Sequence, residues 1–275
     1  MRGRIKELIK DLEIVFDRNM HFTEKALKPR QIKGIVEDLE DLVGDIKHKT
    51  HAHAFKSVKA VFFDVDGTLL HRGKTSRKTL KLIEQAMKKG IFVGIATGRA
   101  LGDMYKFDFV KNFNGPLIFE EGCLILKNNC IDLTWDKKIA PTMKYLRKIA
   151  QKYYHYDIRW KERSFSVYSA SDFPEVKTLR NISVYRNRSH LNVTPSIANK
   201  GLAITHLCKR MKIPLKQVCC VGDDYNDIPM LKAVGFPCCV KNAFRQVKEI
   251  VKEKHGYIAE KPASLGCAEI LEKII

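Results

Sequence analysis

The sequence predicts an α/β fold built on a doubly wound parallel sheet, with a smaller α+β domain inserted into it. Short apolar segments of strand length alternate with helical patterns before and after the middle of the chain. That alternation is typical of parallel strand–helix–strand units. The stretch from about 123 to 194 interrupts the alternation with hairpin-like segments. An amphipathic segment before the first strand predicts a helical extension at the N-terminus.

The first part of the sheet domain, the core, is assigned to residues 59–122. Its apolar run Ala60–Phe63 is a predicted strand, and Thr79–Lys89 has a helical pattern that ends at Gly90. Ile91–Ala96 follows as the next predicted strand. These segments form one strand–helix–strand unit.

The second part of the core is assigned to residues 195–275, where the alternation returns. The predicted helices and strands are, in chain order, Gly201–Met211, Gln217–Val221, Asp227–Ala233, Phe236–Val240, Tyr257–Ala259 and Ala263–Ile275. Both parts therefore contribute to one sheet.

The inserted α+β domain, the cap, is assigned to residues 123–194. Strands are expected around Asn128-Asn129 and over Ile158–Ser169, with helices at Pro141–Tyr153 and near Pro174–Arg180. Only 22 residues separate Thr68 from Ile91, which leaves room for one helix but no domain. Because 100 residues separate Arg99 from Lys200, the insertion has to lie there.

The N-terminal segment, residues 1–58, is predicted to form a helical hairpin followed by a linker. Apolar residues recur at helical spacing on both sides of Pro29, which would break one continuous helix. Residues 47–57 are polar and are interpreted as the linker. The hairpin either docks on the main body or forms a surface for dimerisation or partner binding, so a homo-oligomer through these helices is one expectation.

The composition is that of a globular protein, with 45% hydrophobic and 29% charged residues. No run approaches the roughly 18 uninterrupted apolar residues of a membrane-spanning helix. The basic N-terminus has no apolar run behind it, so no signal peptide is expected. The sequence therefore predicts a cytoplasmic protein without a membrane partner.

The formal net charge is +19, and it is unevenly distributed. The first 50 residues contain 11 Lys or Arg and 10 Asp or Glu, so +18 lies on residues 51–275. A basic surface concentrates anionic ligands, among which phosphorylated metabolites and nucleic acids both qualify. Nucleic acid is not favoured as a partner, because no basic stripe is interleaved with aromatic residues.

Two acids come directly after the first predicted strand. Gly67 starts a turn that can bring Asp64 and Asp66 toward one pocket at the end of that strand, where ligands bind in open α/β sheets. One carboxylate can attack phosphorus, and the other can protonate the leaving oxygen and later deprotonate water. An ordinary Asp-Gly turn is the alternative interpretation.

Three more acids follow a later predicted strand, at Asp223, Asp224 and Asp227. Acids crowded at a strand end repel one another unless a cation compensates them, and Mg²⁺ prefers carboxylate and phosphate oxygens. Asp223 is predicted as a direct ligand. Asp227 is predicted to bind directly or through water, with helix capping as the alternative.

Two further segments suit a phosphate group. Thr97-Gly98-Arg99 ends a strand and precedes a helix, which offers a hydroxyl and backbone N–H donors to an anion. Lys200 lies at the start of a predicted helix and can supply positive charge to a transferring phosphoryl group.

In this order along the chain, the four segments resemble the four motifs of the haloacid dehalogenase superfamily. The resemblance covers residues 59–275 and implies a Rossmann-like core with Asp64 as nucleophile and Asp66 as acid/base. It also implies Mg²⁺ held by Asp64, Asp223 and the residue-66 position, with Asp227 nearby. Thr97, Gly98, Arg99 and Lys200 would bind the substrate phosphate.

The placement of the insertion resembles the Cof-type subfamily, and most of all the archaeal phosphoglycolate phosphatases. The chain departs from that pattern at Glu121-Gly122-Cys123, where an Asn-Gly-Gly-type turn is usual, and in its N-terminal extension. Basic residues of the cap are candidates to receive a substrate carboxylate: Arg159, Lys161, Arg163, Arg186 and Arg188.

The sequence thus predicts a magnesium-dependent phosphatase of small phosphate monoesters, with phosphoglycolate first and sugar phosphates second. A polynucleotide end phosphatase and a phosphomutase of the same superfamily are the alternatives that the motifs leave open. An interaction protein acting through the N-terminal hairpin is a third interpretation.

Overall fold

A computed structural model describes residues 55–109, 113–152, 157–168, 181–186 and 190–275. The predicted N-terminal helices, most of the predicted linker and the helix near Pro174–Arg180 lie outside these ranges. In the described part, no helix is both long enough and apolar enough to span a bilayer.

The described elements alternate along the chain much as the sequence predicts. The strands are β1 (Ala60–Phe63), β2 (Phe92–Ala96), β3 (Leu117–Phe119), β4 (Leu124–Lys127), β5 (Cys130–Ile131), β6 (Asp157–Trp160), β7 (Phe165–Tyr168), β8 (Ile182–Arg186), β9 (His190–Pro195), β10 (Val218–Gly222), β11 (Phe236–Cys239) and β12 (Tyr257–Ile258). The α-helices are α1 (Arg77–Lys88), α2 (Leu101–Met104), α3 (Leu133–Lys152), α4 (Lys200–Met211), α5 (Ile228–Ala233), α6 (Arg245–Glu253) and α7 (Ala263–Ile274).

The larger sheet has eight strands in the order β12-β11-β10-β1-β2-β3-β4-β5. It is parallel from β12 to β3, and β4 pairs antiparallel with β3 on one side and with β5 on the other. In β1, Val61 and Phe63 pack in an apolar cluster with α1 and α7, whereas Ala60 and Phe62 pack in another with α4 and α6. Helices therefore cover both faces, and the predicted doubly wound α/β class is confirmed.

The smaller sheet has four antiparallel strands in the order β6-β7-β9-β8. One face packs on α3, where Leu146, Phe165 and Val193 belong to a third apolar cluster. Successive side chains of a strand point to opposite faces, so Ser166 and Asn192 lie on the other face. The arrangement is the α+β part that the sequence expects inside the sheet domain.

The boundaries of the parts differ from the sequence assignment. Phe55 and Val58 are buried in the first apolar cluster, so the core begins before residue 59. At the other boundary, Asn128 and Asn129 both adopt positive φ and turn the chain back, so that β5 pairs with β4, which in turn pairs with β3 of the larger sheet. The division into core and cap itself stays a prediction.

Helix α3 begins eight residues before the predicted start at Pro141. The carboxylate of Asp132 accepts the backbone N–H groups of Thr134 and Trp135, at 3.1 Å each. This capping satisfies donors that the first turn of a helix leaves unpaired. Pro141, at the predicted start, lies inside the helix.

Candidate active site

The carboxyl ends of three neighbouring strands bring the sequence-predicted residues together. Asp64 follows β1, Thr97 follows β2 and Asp223 follows β10, and β1 pairs with both of the other strands. Asp227 ends the 3₁₀ turn that comes after β10. One carboxylate oxygen from each of Asp64, Asp223 and Asp227 lies within 4.8 Å of the others, and all three residues are buried.

Lys200 is fully buried at the start of α4, between two of these acids. Its Nζ donates to Asp64 Oδ1 at 2.7 Å and to Asp227 Oδ1 at 2.6 Å. Burial lowers the pKa of this ammonium, but the carboxylates of Asp227 and Asp64 outweigh burial and hold the pKa well above its usual value. The lysine is therefore charged and fixed beside Asp64.

The remaining negative charge of the cluster favours a divalent cation. Burial and the neighbouring Asp227 raise the pKa of Asp64 well above its usual value, although Lys200 opposes them. The same two causes raise the pKa of Asp223 to about 7. A cation would stabilise both anions, and carboxylate oxygens are the ligands that Mg²⁺ prefers. The donor set of Asp64 and Asp223 thus fits Mg²⁺.

The turn after Asp64 is shaped to let Asp223 approach. Thr68 donates its hydroxyl to Asp223 Oδ1 at 2.7 Å. Gly67 has φ +86°, and a Cβ added there would meet Asp223 Oδ2 at 2.2 Å. Only glycine satisfies both the backbone conformation and the close approach.

Asp227 has both carboxylate oxygens engaged within the protein. While Oδ1 accepts from Lys200, Oδ2 accepts the backbone N–H groups of Asp223 at 2.8 Å and Asp224 at 3.0 Å. These bonds orient the lysine and the loop that carries Asp223. The metal role expected of Asp227 stays a prediction beside this observed positioning.

Asp66 lies outside the group of three buried acids, and the place expected for the residue-66 position among the metal ligands stays a prediction. Its two carboxylate oxygens each accept from Arg99, at 2.6 Å to Nε and 2.6 Å to Nη2. The hydrogen bond to Asp66 is the main cause that raises the pKa of Arg99. The guanidinium therefore holds the predicted acid/base, at a partly exposed position.

The predicted phosphate-binding turn follows β2 directly. Thr97 is buried, and its hydroxyl oxygen accepts the backbone N–H of Arg99 at 3.2 Å. A Cβ added at Gly98 would lie 2.1 Å from Glu121 Oε1. The close approach of Glu121 leaves no room for a side chain at Gly98, so this residue contributes only backbone atoms to the turn.

Glu121 is a site residue that the sequence did not assign. It is buried with φ +57°, and its carboxylate accepts from the amide groups of Asn192, at 3.0 Å, and Asn226, at 3.0 Å. Its Oε2 is 4.0 Å from the Lys200 ammonium. The sequence did carry a signal for this role, because it departs from the usual turn at 121–123. In addition, Glu120 and Glu121 are adjacent acids in an apolar segment, and buried acids need hydrogen-bond or ionic partners.

Glu120 connects the larger sheet to the loop after β6. Its carboxylate accepts the backbone N–H groups of Glu162, at 3.1 Å, and Arg163, at 2.9 Å, and the Ser164 hydroxyl at 2.6 Å. Burial raises the pKa of Glu120 to about 8. The loop 161–164 is thereby held beside the carboxyl end of β3.

Comparisons with known proteins indicate the family of the chain. A family model described as haloacid dehalogenase-like hydrolase matches residues 61–187 and 170–261. A phosphoglycolate phosphatase of Thermoplasma volcanium is 27% identical over 201 residues, covering 70% of this chain and 89% of that protein. The 5-amino-6-(5-phospho-D-ribitylamino)uracil phosphatase YcsE of Bacillus subtilis is 25% identical, covering 78% of this chain and 94% of that protein.

Solved structures show the same fold. The sucrose-phosphatase of Synechocystis aligns with a TM-score of 0.65 at 16% identity, over 80% of this chain and 98% of that one. The structure of Thermoplasma acidophilum 0175 aligns with a TM-score of 0.64 at 19% identity, over 79% of this chain and 98% of that one.

The chain belongs to the haloacid dehalogenase-like hydrolases, since the family model covers most of it. It is a phosphatase of that family, in agreement with the phosphatases among its relatives. The resemblance inferred from the four motifs is thereby confirmed.

Proposed function

We propose that this phosphatase hydrolyses small phosphate monoesters through a phospho-aspartate on Asp64, with Mg²⁺ as its cofactor. The observation that carries the proposal is the buried contact of Lys200 with Asp64, beside two further acids within 4.8 Å. A lysine and a cation site on either side of one carboxylate suit a nucleophile that receives a phosphoryl group.

The reaction divides into two steps. An oxygen of Asp64 attacks phosphorus, the ester bond breaks, and the leaving oxygen takes a proton from Asp66. A water then attacks the acyl phosphate while Asp66 accepts its proton, which releases inorganic phosphate and restores Asp64. Arg99 orients Asp66 for both transfers, since it holds both carboxylate oxygens.

The phosphate would be bound by the turn Thr97-Gly98-Arg99 and by the charge of Lys200. Mg²⁺, held by Asp64 and Asp223, would supply positive charge to the phosphoryl oxygens and lower their repulsion of the nucleophile. Thr68 and Gly67 set the position of Asp223 for this role.

Phosphoglycolate is the first candidate substrate, and sugar phosphates are the second. The relatives with the printed name phosphoglycolate phosphatase support the first candidate, and the sucrose-phosphatase fold supports the second. The net charge of +19 favours anionic metabolites in general.

A phosphate-release screen tests the activity and the nucleophile together. We expect release from phosphoglycolate, hexose phosphates or an aryl phosphate, and a loss of about 10³-fold or more in Asp64→Asn, because an amide is a poor nucleophile. The thermal unfolding midpoint of the variant checks that it folds. Turnover by Asp64→Asn within tenfold of the unsubstituted enzyme would contradict the covalent step.

Removal of the metal tests the cofactor. We expect EDTA to abolish phosphate release and added Mg²⁺ to restore it, because the phosphoryl oxygens would otherwise lack the positive charge of the cation. Ca²⁺, which prefers more ligands and longer distances, serves as the control ion. Full activity of the dialysed, chelator-treated enzyme would rule out the metal assignment.

A further inference from the structure

The smaller sheet turns a polar face toward the catalytic edge of the larger one. Ser166 of β7 and Asn192 of β9 are paired in register on that face, and the Ser166 hydroxyl donates to Asn192 Oδ1 at 2.8 Å. The Asn192 amide in turn donates to Glu121 at 3.0 Å. The face therefore reaches the turn that contains Gly98, against which Glu121 packs.

Lys161 brings a positive charge to the same place. It follows β6, and its Nζ donates to the backbone oxygen of Gly98 at 2.8 Å and to Asn192 Oδ1 at 2.9 Å. Both acceptors are neutral. Burial lowers the pKa of this ammonium, although Glu121 and Glu120 oppose the shift.

Two of the other basic candidates in the cap have carboxylate partners. Arg159 forms an ion pair with Asp157 at 3.3 Å and also lies over the Tyr168 ring. Arg163 pairs with Asp136 at 2.7 Å. Arg188 and the side chain of Arg186 are outside the described part of the chain. Among the five basic candidates in the cap, Lys161 is the one described with neutral hydrogen-bond acceptors at the phosphate-binding turn.

We propose that Lys161 is a specificity-determining residue that binds a second anionic group of the substrate. This inference rests on the proposed function, because it takes Thr97-Gly98-Arg99 as the phosphate site. Lys161 contacts the backbone oxygen of Gly98, and the phosphate is expected at the backbone N–H of the same residue. Because the N and O atoms of one residue lie less than about 4 Å apart, an anion bound by Lys161 would be close to that phosphate. The favoured substrates are short monoesters with a carboxylate or second phosphate near the ester oxygen.

A pair of substrates that differ only in this second group tests the proposal. Phosphoglycolate carries a carboxylate, and 2-hydroxyethyl phosphate carries a neutral hydroxymethyl group in its place. We expect Lys161→Met to lower kcat/KM for phosphoglycolate about 10- to 100-fold, mainly through KM, because one charge-assisted hydrogen bond is lost. The value for 2-hydroxyethyl phosphate should stay within about threefold.

Two further variants sharpen the result. Lys161→Arg keeps the charge and should recover at least part of the preference for phosphoglycolate. Lys148→Met removes an exposed lysine of α3 and should change neither substrate's kcat/KM. An equal loss on both substrates, or no loss on either, would overturn the proposal.

The unsubstituted enzyme separates this proposal from the one it rests on. If it hydrolyses an aryl phosphate but shows no preference for phosphoglycolate over 2-hydroxyethyl phosphate, the role of Lys161 is wrong and the phosphatase mechanism stands. If it releases phosphate from no monoester, the proposed function itself fails.

Discussion

Gly98 shows how closely single residues are fitted at the phosphate-binding turn. A Cβ on this residue would come within 2.1 Å of Glu121 Oε1 and 3.2 Å of Asn192 Nδ2. Glu121 is buried and held by two amide groups, so it has no free direction in which to move. The backbone of the turn would have to shift instead.

We therefore expect Gly98→Ala to lower kcat/KM by about 100-fold, since a displacement of about 1 Å at a reacting group has that effect. Gly102→Ala is the matched control: a Cβ there meets nothing within 4 Å, and its activity should stay within about twofold. The measurement is kcat/KM of both variants by steady-state kinetics, with the best substrate found in the phosphate-release screen. Equal activities of the two variants would show that the Glu121 side chain moves aside at little cost, which would contradict the prediction.

At this scale the sequence reveals the motif residues but not their partners. Asp64, Thr97 and Asp223 are found because each follows an apolar strand, and parallel strands end at one edge. Glu121 acquires its role from Asn192 and Asn226, which are 71 and 105 residues away. Such contacts exist only after folding, as does the pairing of Asp66 with Arg99.

At the scale of elements, the start of α4 determines where Lys200 points. Asn199 has an extended backbone, and its side chain accepts the Leu202 N–H at 2.8 Å. We expect Asn199→Ala to lower the free energy of unfolding by about 1 kcal/mol, with a fall of about 2–4 °C in Tm. Asn199→Asp keeps a capping oxygen and should stay within about 0.5 kcal/mol. Calorimetry that finds the alanine variant as stable as the unsubstituted protein would refute the capping role.

Hydrophobic periodicity predicts most of the helices and strands. It fails where strand pairing in the folded protein, or the capping of a helix, determines where an element begins or which sheet it joins. The helix predicted at Gly201–Met211 begins one residue earlier, at Lys200, and Ala263–Ile274 agrees within one residue. The hairpin at 124–131 breaks the strand–helix rhythm, which suggested a separate domain. Its strands nevertheless extend the larger sheet, because an antiparallel pair at a sheet edge needs no crossover helix.

At the scale of the whole molecule, the described core starts with an aromatic residue that the sequence assigns to a linker. Phe55 is 2% exposed, and its ring centroid lies 5.4 Å from that of Phe236 and 6.3 Å from that of Tyr257. Its neighbours come from β11 and β12, at the far edge of the larger sheet. The sequence does not reveal this buried residue, because a single aromatic residue in a mainly polar segment has no periodicity.

Two truncations that differ by two residues test this anchor. A fragment that begins at Ala54 keeps Phe55 and every described site residue, so we expect its kcat/KM to stay within about twofold of the full chain's value. A fragment that begins at Lys56 loses the buried ring and should be less stable by about 3 kcal/mol in urea unfolding, the lower end of the cost of a Phe→Ala change. Phe55→Ala in the full chain separates the loss of the ring from the loss of residues 1–54. Equal stability of the two fragments would mean that the core begins later than the buried position of Phe55 indicates.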